Sequence, residues 1–94
     1  MITKPMVMMR LYWESKDLNY DKEDRKRFAN IRRVIGRIPI RTFNKIFIVN
    51  GTYEYYIGFC VGRELKVRLD ENEFDIVRAI IENIRSGYYK KEEK

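Results

Sequence analysis

Histidine and glutamine are absent from the 94-residue chain, which holds one cysteine, two prolines and two serines. These gaps remove whole classes of chemistry. Without histidine, neither a Ser/His nor a Cys/His nucleophile system can be assembled. Cys60 has no second cysteine with which to close an intramolecular disulfide, and no Cys/His set exists to hold zinc. No glycine-rich phosphate loop is present. The longest stretches free of charge, residues 46–53 and 55–62, fall far below the roughly 18 apolar residues of a membrane span. A non-enzymatic protein with no cofactor, no metal and no small-molecule substrate is the expectation. The apolar run at residues 6–9 is well short of the roughly 7–15 residue core of a signal peptide, so a cytoplasmic location is expected, away from membranes.

What is present points to one folded unit. With 45% hydrophobic and 36% charged residues, the chain is too apolar for a disordered tail. Residues 1–87 read as a single domain and residues 88–94, YYKKEEK, as a charged C-terminal tail that frays. A domain of this length withdraws only roughly 60–65% of its unfolded surface from water, so its core is thin. Twelve isoleucines, eleven arginines and no glutamine lean towards a thermophile's composition.

The apolar pattern predicts an α+β fold. Residues 6–13 alternate loosely and read as a first strand with Val7, Met9, Leu11 and Trp13 on one face. From Asp21, Phe28, Ile31, Val34, Ile35 and Ile38 recur at helical spacing, with Asp21 as cap and Gly36 and Pro39 as stop signals. Next, residues 43–49, Asn50-Gly51 and residues 52–61 read as a hairpin closed by a two-residue type I′ turn. Its register pairs Phe47 with Glu54 and Lys45 with Tyr56 on one face, and Ile48 with Tyr53 on the other. Leu65–Leu69 reads as a third strand. Asp70 and Glu73 form a capping box for a second helix carrying Phe74, Val77, Ile80, Ile81 and Ile84 and stopped by Gly87. The predicted order is β-α-β-β-β-α, a two-layer sandwich with both helices on one face of an antiparallel sheet.

The net charge of +6 has a location. Residues 21–45 carry nine cations (Lys22, Arg25, Lys26, Arg27, Arg32, Arg33, Arg37, Arg41 and Lys45) against three acids, and the rest of the chain is balanced. Turned at about 100° per residue, the first helix gathers Lys22, Arg25, Lys26, Arg32, Arg33 and Arg37 on the arc opposite its apolar stripe. Arg27 alone falls on the apolar side, and Arg41 and Lys45 extend the charge beyond the helix. A solvated charged face is the bland explanation. The second helix argues against it, because Glu71, Asp75, Arg78, Glu82 and Arg85 compensate one another. Neutralisation of nucleic-acid phosphates is the function that this pattern predicts, with little base specificity and with DNA and RNA equally open. A protein-interaction module, such as a small regulator or inhibitor, is the alternative.

A second surface follows from the predicted register. The open sheet face would display Phe43, Phe47, Val49 and Tyr56 beside Lys45, Lys66 and Arg68. Aromatics among cations can stack bases, and the same patch could instead be covered by a second copy in a homodimer. Glu64-Leu65-Lys66 resembles the acid-x-Lys step of the PD-(D/E)xK nucleases, which implies a metal shared with a second acid. In the predicted register Glu54, the nearest upstream acid, lies about 20 Å away, too far to share a metal. The α-β-β-β-α portion is also similar in element order to double-stranded RNA binding domains. There the basic cluster opens the second helix, whereas residues 70–77 here are acidic, so no membership follows.

Overall fold

The computed structural model describes residues 2–17, 19–60 and 68–92, and every regular element among them is helical. The order is α1 (Lys4–Ser15), α2 (Lys22–Gly36), α3 (Ile40–Phe43), a π-helical segment (Asn44–Asn50), α4 (Tyr53–Cys60), α5 (Glu71–Ser86) and α6 (Tyr88–Glu92). No strand occurs among the described residues, which overturns the α+β sandwich, its antiparallel sheet and its likeness in element order to RNA-binding domains.

Both expected helices form with the expected caps. The Asp21 carboxylate accepts from the Asp24 amide at 2.8 Å, and α2 buries Phe28, Ile31, Val34 and Ile35. At the start of α5, Asp70 accepts from the Glu73 amide at 2.7 Å while Glu73 accepts from the Asp70 amide at 3.0 Å, a complete capping box. That helix buries Phe74, Val77, Ile80 and Ile81 and ends at Gly87, whose φ of 77° is a left-handed conformation that glycine adopts without strain.

The first expected strand is α1 instead. Val7 and Leu11, four residues apart, are fully buried against the core, whereas Met9 and Trp13 are exposed. A strand would have placed all four on one face, and the helix divides them. Thr3 caps it by accepting from the Met6 amide, and Pro5 sits in the first turn, where a missing N–H costs nothing. Running antiparallel to α2, α1 brings the Lys4 ammonium to the far end of that helix, where it donates to the carbonyls of Ile38 at 2.6 Å and Gly36 at 3.3 Å.

The expected hairpin is helical on both sides of Gly51. Phe43, Ile46 and Phe47 are buried together, a spacing of three and four that one helical face satisfies and a strand cannot. Gly51 does adopt the left-handed conformation, with φ of 67°, but a type I′ turn needs Asn50 to do so as well, and no described non-glycine residue has positive φ. Gly51 closes the π-helical segment by donating from its amide to Ile46 O at 2.8 Å, and the Asn50 side chain donates to Lys45 O.

The core then closes through aromatics. Phe47 stacks on Phe43 at 4.8 Å and on Phe74 at 5.0 Å between ring centroids, and Tyr53 and Tyr56 pack on Phe74 from α4 at 5.6 Å each. The buried Tyr56 hydroxyl accepts from the Leu69 amide at 2.9 Å, which fixes the chain just before α5. The expected third strand lies largely outside the described residues, as do Glu64 and Lys66; Arg68 and Leu69 carry no regular structure. Part of the expected tail is ordered as α6, anchored by the buried Tyr89.

Candidate nucleic-acid interface

The cations singled out from sequence are solvent-facing with one exception. Lys22, Arg25, Lys26, Arg33 and Arg37 lie exposed along α2 and just past its end, and Arg41 and Lys45 are exposed on α3 and the π-helical segment. Pro39 opens α3 after a break of three residues, and the buried Phe43 pins that element to the core between Arg41 and Lys45. Among the described residues, the ion pairs are Arg10–Glu14, Asp75–Arg78 and Glu82–Arg85, so none neutralises this stretch.

Arg32 is the exception. It is half-buried at the seam with α1, where its guanidinium lies 5.0 Å from the centre of the Tyr12 ring, and its Nε is buried without a hydrogen-bond partner. On the helical wheel it borders the apolar stripe, and α1 closes over that border. Arg27, placed on the apolar side by the same wheel, is exposed at the rim of a cavity of about 340 Å³ where Glu14, Asp24, Phe28, Ile80 and Tyr89 bring α1, α2, α5 and α6 together.

Asn30 gives the basic face a fixed attachment. Its side-chain oxygen accepts from Arg33 Nη2 at 2.7 Å, and its amide nitrogen donates to Glu73 Oε2, also at 2.7 Å. Glu73 is only 7% exposed and simultaneously completes the cap of α5. A chain of hydrogen bonds thus runs from an exposed arginine of α2 to the first turn of α5, satisfying a buried carboxylate on the way. The sequence offered one clue to this role, an amide lying between two arcs of the helix.

The aromatic stacking or dimer face does not exist in this arrangement. Phe43, Phe47 and Tyr56 are core residues: Phe47 and Tyr56 pack on Phe74, and Phe43 stacks on Phe47. Without a sheet there is no open sheet face, and a homodimer through it falls with it. Arg68 is exposed, and Lys66 lies outside the described residues.

Among the described residues no cluster of His, Cys, Asp or Glu could hold a metal ion, and no helix is long and apolar enough to cross a membrane. Tyr20 is displaced from its ordinary titration range. Its hydroxyl donates to Glu14 Oε2 at 3.3 Å, and burial first, then the Glu14, Asp17 and Asp24 carboxylates, push it upward. No family model, curated protein or solved structure matches the chain.

Proposed function

We propose that the protein binds nucleic acid in the cytoplasm through backbone phosphates, without catalysis, using Lys22, Arg25, Lys26, Arg33, Arg37, Arg41 and Lys45. Arg32 is left out of this set because its guanidinium serves the seam between α1 and α2.

One observation carries the reading: seven exposed cations follow one another along a single stretch of chain with no acidic partner among the described residues. Helix stability accounts for only some of them: Arg33 lies in the last turn of α2 and Arg37 is its C-cap, where the negative end of the macrodipole favours cations. Lys22 opens α2 and Arg25 follows its first turn, where the positive end of the helix macrodipole disfavours cations. Phosphate neutralisation supplies the missing reason, since each condensed counterion released on binding contributes to affinity. With six phosphates neutralised, affinity should fall about a thousandfold between roughly 50 and 200 mM salt.

The test is fluorescence anisotropy with labelled duplex and single-stranded DNA and RNA of mixed sequence at those two salt concentrations. Wild type should bind at the lower salt with a steep salt dependence. The triple variant Arg25→Glu, Lys26→Glu, Arg33→Glu should not bind, while its circular dichroism stays helical. A folded triple variant that still binds at low salt would sink the proposal.

A further inference from the structure

The seam between α1 and α2 carries the basic surface onto a second helix. Arg32 lies on the edge of the α2 cation arc nearest α1, and its guanidinium is 5.0 Å from the centre of the Tyr12 ring. The exposed Lys16 ammonium approaches the same ring at 5.1 Å. Neither cation has an ion pair among the described residues. Tyr12 in turn meets Trp13 edge-on, with 5.7 Å between ring centres. At about 100° per residue, Lys16 falls between Tyr12 and Trp13 on the wheel of α1, one turn further along, and all three lie outside the arc of Val7 and Leu11. A path of cations and rings therefore leads from α2 through Arg32, Tyr12 and Lys16 to Trp13.

The rings on this path stay wet. Tyr12 is 40% and Trp13 59% exposed, whereas Val7 and Leu11 are fully buried and seat α1 on the core. An exposed indole offers a flat face to a planar ligand, and every nucleobase has a face to match it. Continuity with α2 identifies the occupant, because the cations read as a phosphate site end one ring away from Trp13. The two helices run antiparallel, so Lys16 at the end of α1 also lies towards the start of α2, where Lys22 and Arg25 are exposed. Bases in a duplex are already stacked on their neighbours, and only an unpaired base has a face to give. Resting on the reading of α2 as a phosphate site, we propose that Trp13 stacks an unpaired base of single-stranded DNA or RNA. The strand's backbone crosses from the cations of α2 to Lys16, and Arg32 holds the Tyr12 ring against which Trp13 stands.

Trp13 is the only tryptophan in the chain, so its fluorescence reports on the stack directly. The probes are oligothymidylate and oligouridylate of about 12 nucleotides, within the site size of a single-strand binder. An abasic strand of the same length carries the same phosphates without bases, and a blunt duplex of mixed sequence carries paired ones. At roughly 50 mM salt the two base-bearing strands should quench Trp13 to saturation, and the abasic strand and the duplex should leave its emission unchanged. By anisotropy of labelled strands, Trp13→Leu, an exposed change, should weaken oligothymidylate about tenfold, the worth of one stacked base. The affinities of the abasic strand and the duplex should stay where they are. Trp13→Phe, which keeps a ring, should recover most of the loss.

Equal affinity for the abasic strand and oligothymidylate, with Trp13 emission unchanged, overturns the stacking and leaves the phosphate reading standing. No binding of any strand at low salt sinks both. Quenching that persists in the triple variant of α2 overturns the path, since the strand then reaches Trp13 without those cations. If no strand quenches, a blue shift of Trp13 that grows with protein concentration alone overturns the proposal in favour of a second copy. A blue shift on vesicles of phosphatidylcholine and phosphatidylglycerol, again without quenching by any strand, overturns it in favour of a membrane surface.

Discussion

Helices α2 and α5 are built alike on the inside and differently on the outside. Each has an aspartate cap, each buries a stripe containing one phenylalanine, and they run 15 and 16 residues. Outward, α5 follows the electrostatics of an isolated helix: Glu71 and Glu73 at its positive end, Arg85 at its negative end, and the pairs Asp75–Arg78 and Glu82–Arg85 between. Helix α2 shares the acidic first turn, Glu23 and Asp24, and the basic last turn, Arg33, but adds Lys22, Arg25 and Lys26 near its positive end and has no ion pair among the described residues. The inner stripes answer to packing and the outer faces do not have to. Charge that stability does not ask for is the feature behind the proposed phosphate-binding role of α2.

The largest effects should come from the inner stripes. Phe74→Ala should cost about 3–5 kcal/mol, because its ring packs against Phe47, Tyr53 and Tyr56 together. Phe28, whose one ring neighbour here is Tyr20 at 5.1 Å, should cost less when truncated. Urea titrations of both variants check the order, and a reversed order would mean that the aromatic cluster is not the centre of stability.

Next come the outer faces. The triple reversal on α2 should lower nucleic-acid affinity more than about a hundredfold at low salt, whereas Arg78→Glu with Arg85→Glu on α5 should stay within about threefold of wild type. Equal losses on the two helices would mean that net charge alone matters, and the distinction between the faces would dissolve.

The caps differ by a smaller margin. Asp21→Ala removes one hydrogen bond to the Asp24 amide and should cost about 1 kcal/mol. Glu73→Ala removes half of a capping box and leaves the Asn30 side chain without its partner, so about 2 kcal/mol is expected in thermal or urea unfolding. The smallest effect is the pH dependence of Tyr20. Its folded-state pKa is raised above 10.0, so the stability it contributes is present below pH 10 and is lost as pH rises through the folded value. A tyrosine absorbance titration of wild type minus Tyr20→Phe should show one group titrating above that pH.

The two helices with written caps were legible because their signals are local and redundant: an aspartate before the first turn, a stripe at helical spacing, a glycine after the last. The outward position of Lys22, Arg25, Lys26, Arg33 and Arg37 followed from the same stripe. The remaining segments were ambiguous. Ile46, Phe47, Ile48 and Val49 are apolar in succession, so period two and period 3.6 fit the run equally well, and Asn50-Gly51 serves a hairpin or a helix end with the same positive φ at glycine. For α1, alternate residues from Val7 to Trp13 are apolar while the whole segment is apolar enough to suit either period, and Thr3 with Pro5 was the only helical signal.

Sequence alone determined that the chain has no histidine and a single cysteine, where its charge lies, and the two helices whose caps lie within four residues of their first turns. Tertiary structure decided which half of each ambiguous apolar run met the core. Phe43, Phe47 and Tyr56 could have faced solvent on a sheet; they are buried because Phe74 offers Phe47 and Tyr56 a ring to pack against and Phe43 stacks on Phe47 in turn, a gain no local propensity records. The same contacts turned Arg32 into a seam residue and left Met9 and Trp13 outside, since a helix that buries Val7 and Leu11 has to point its opposite side at water.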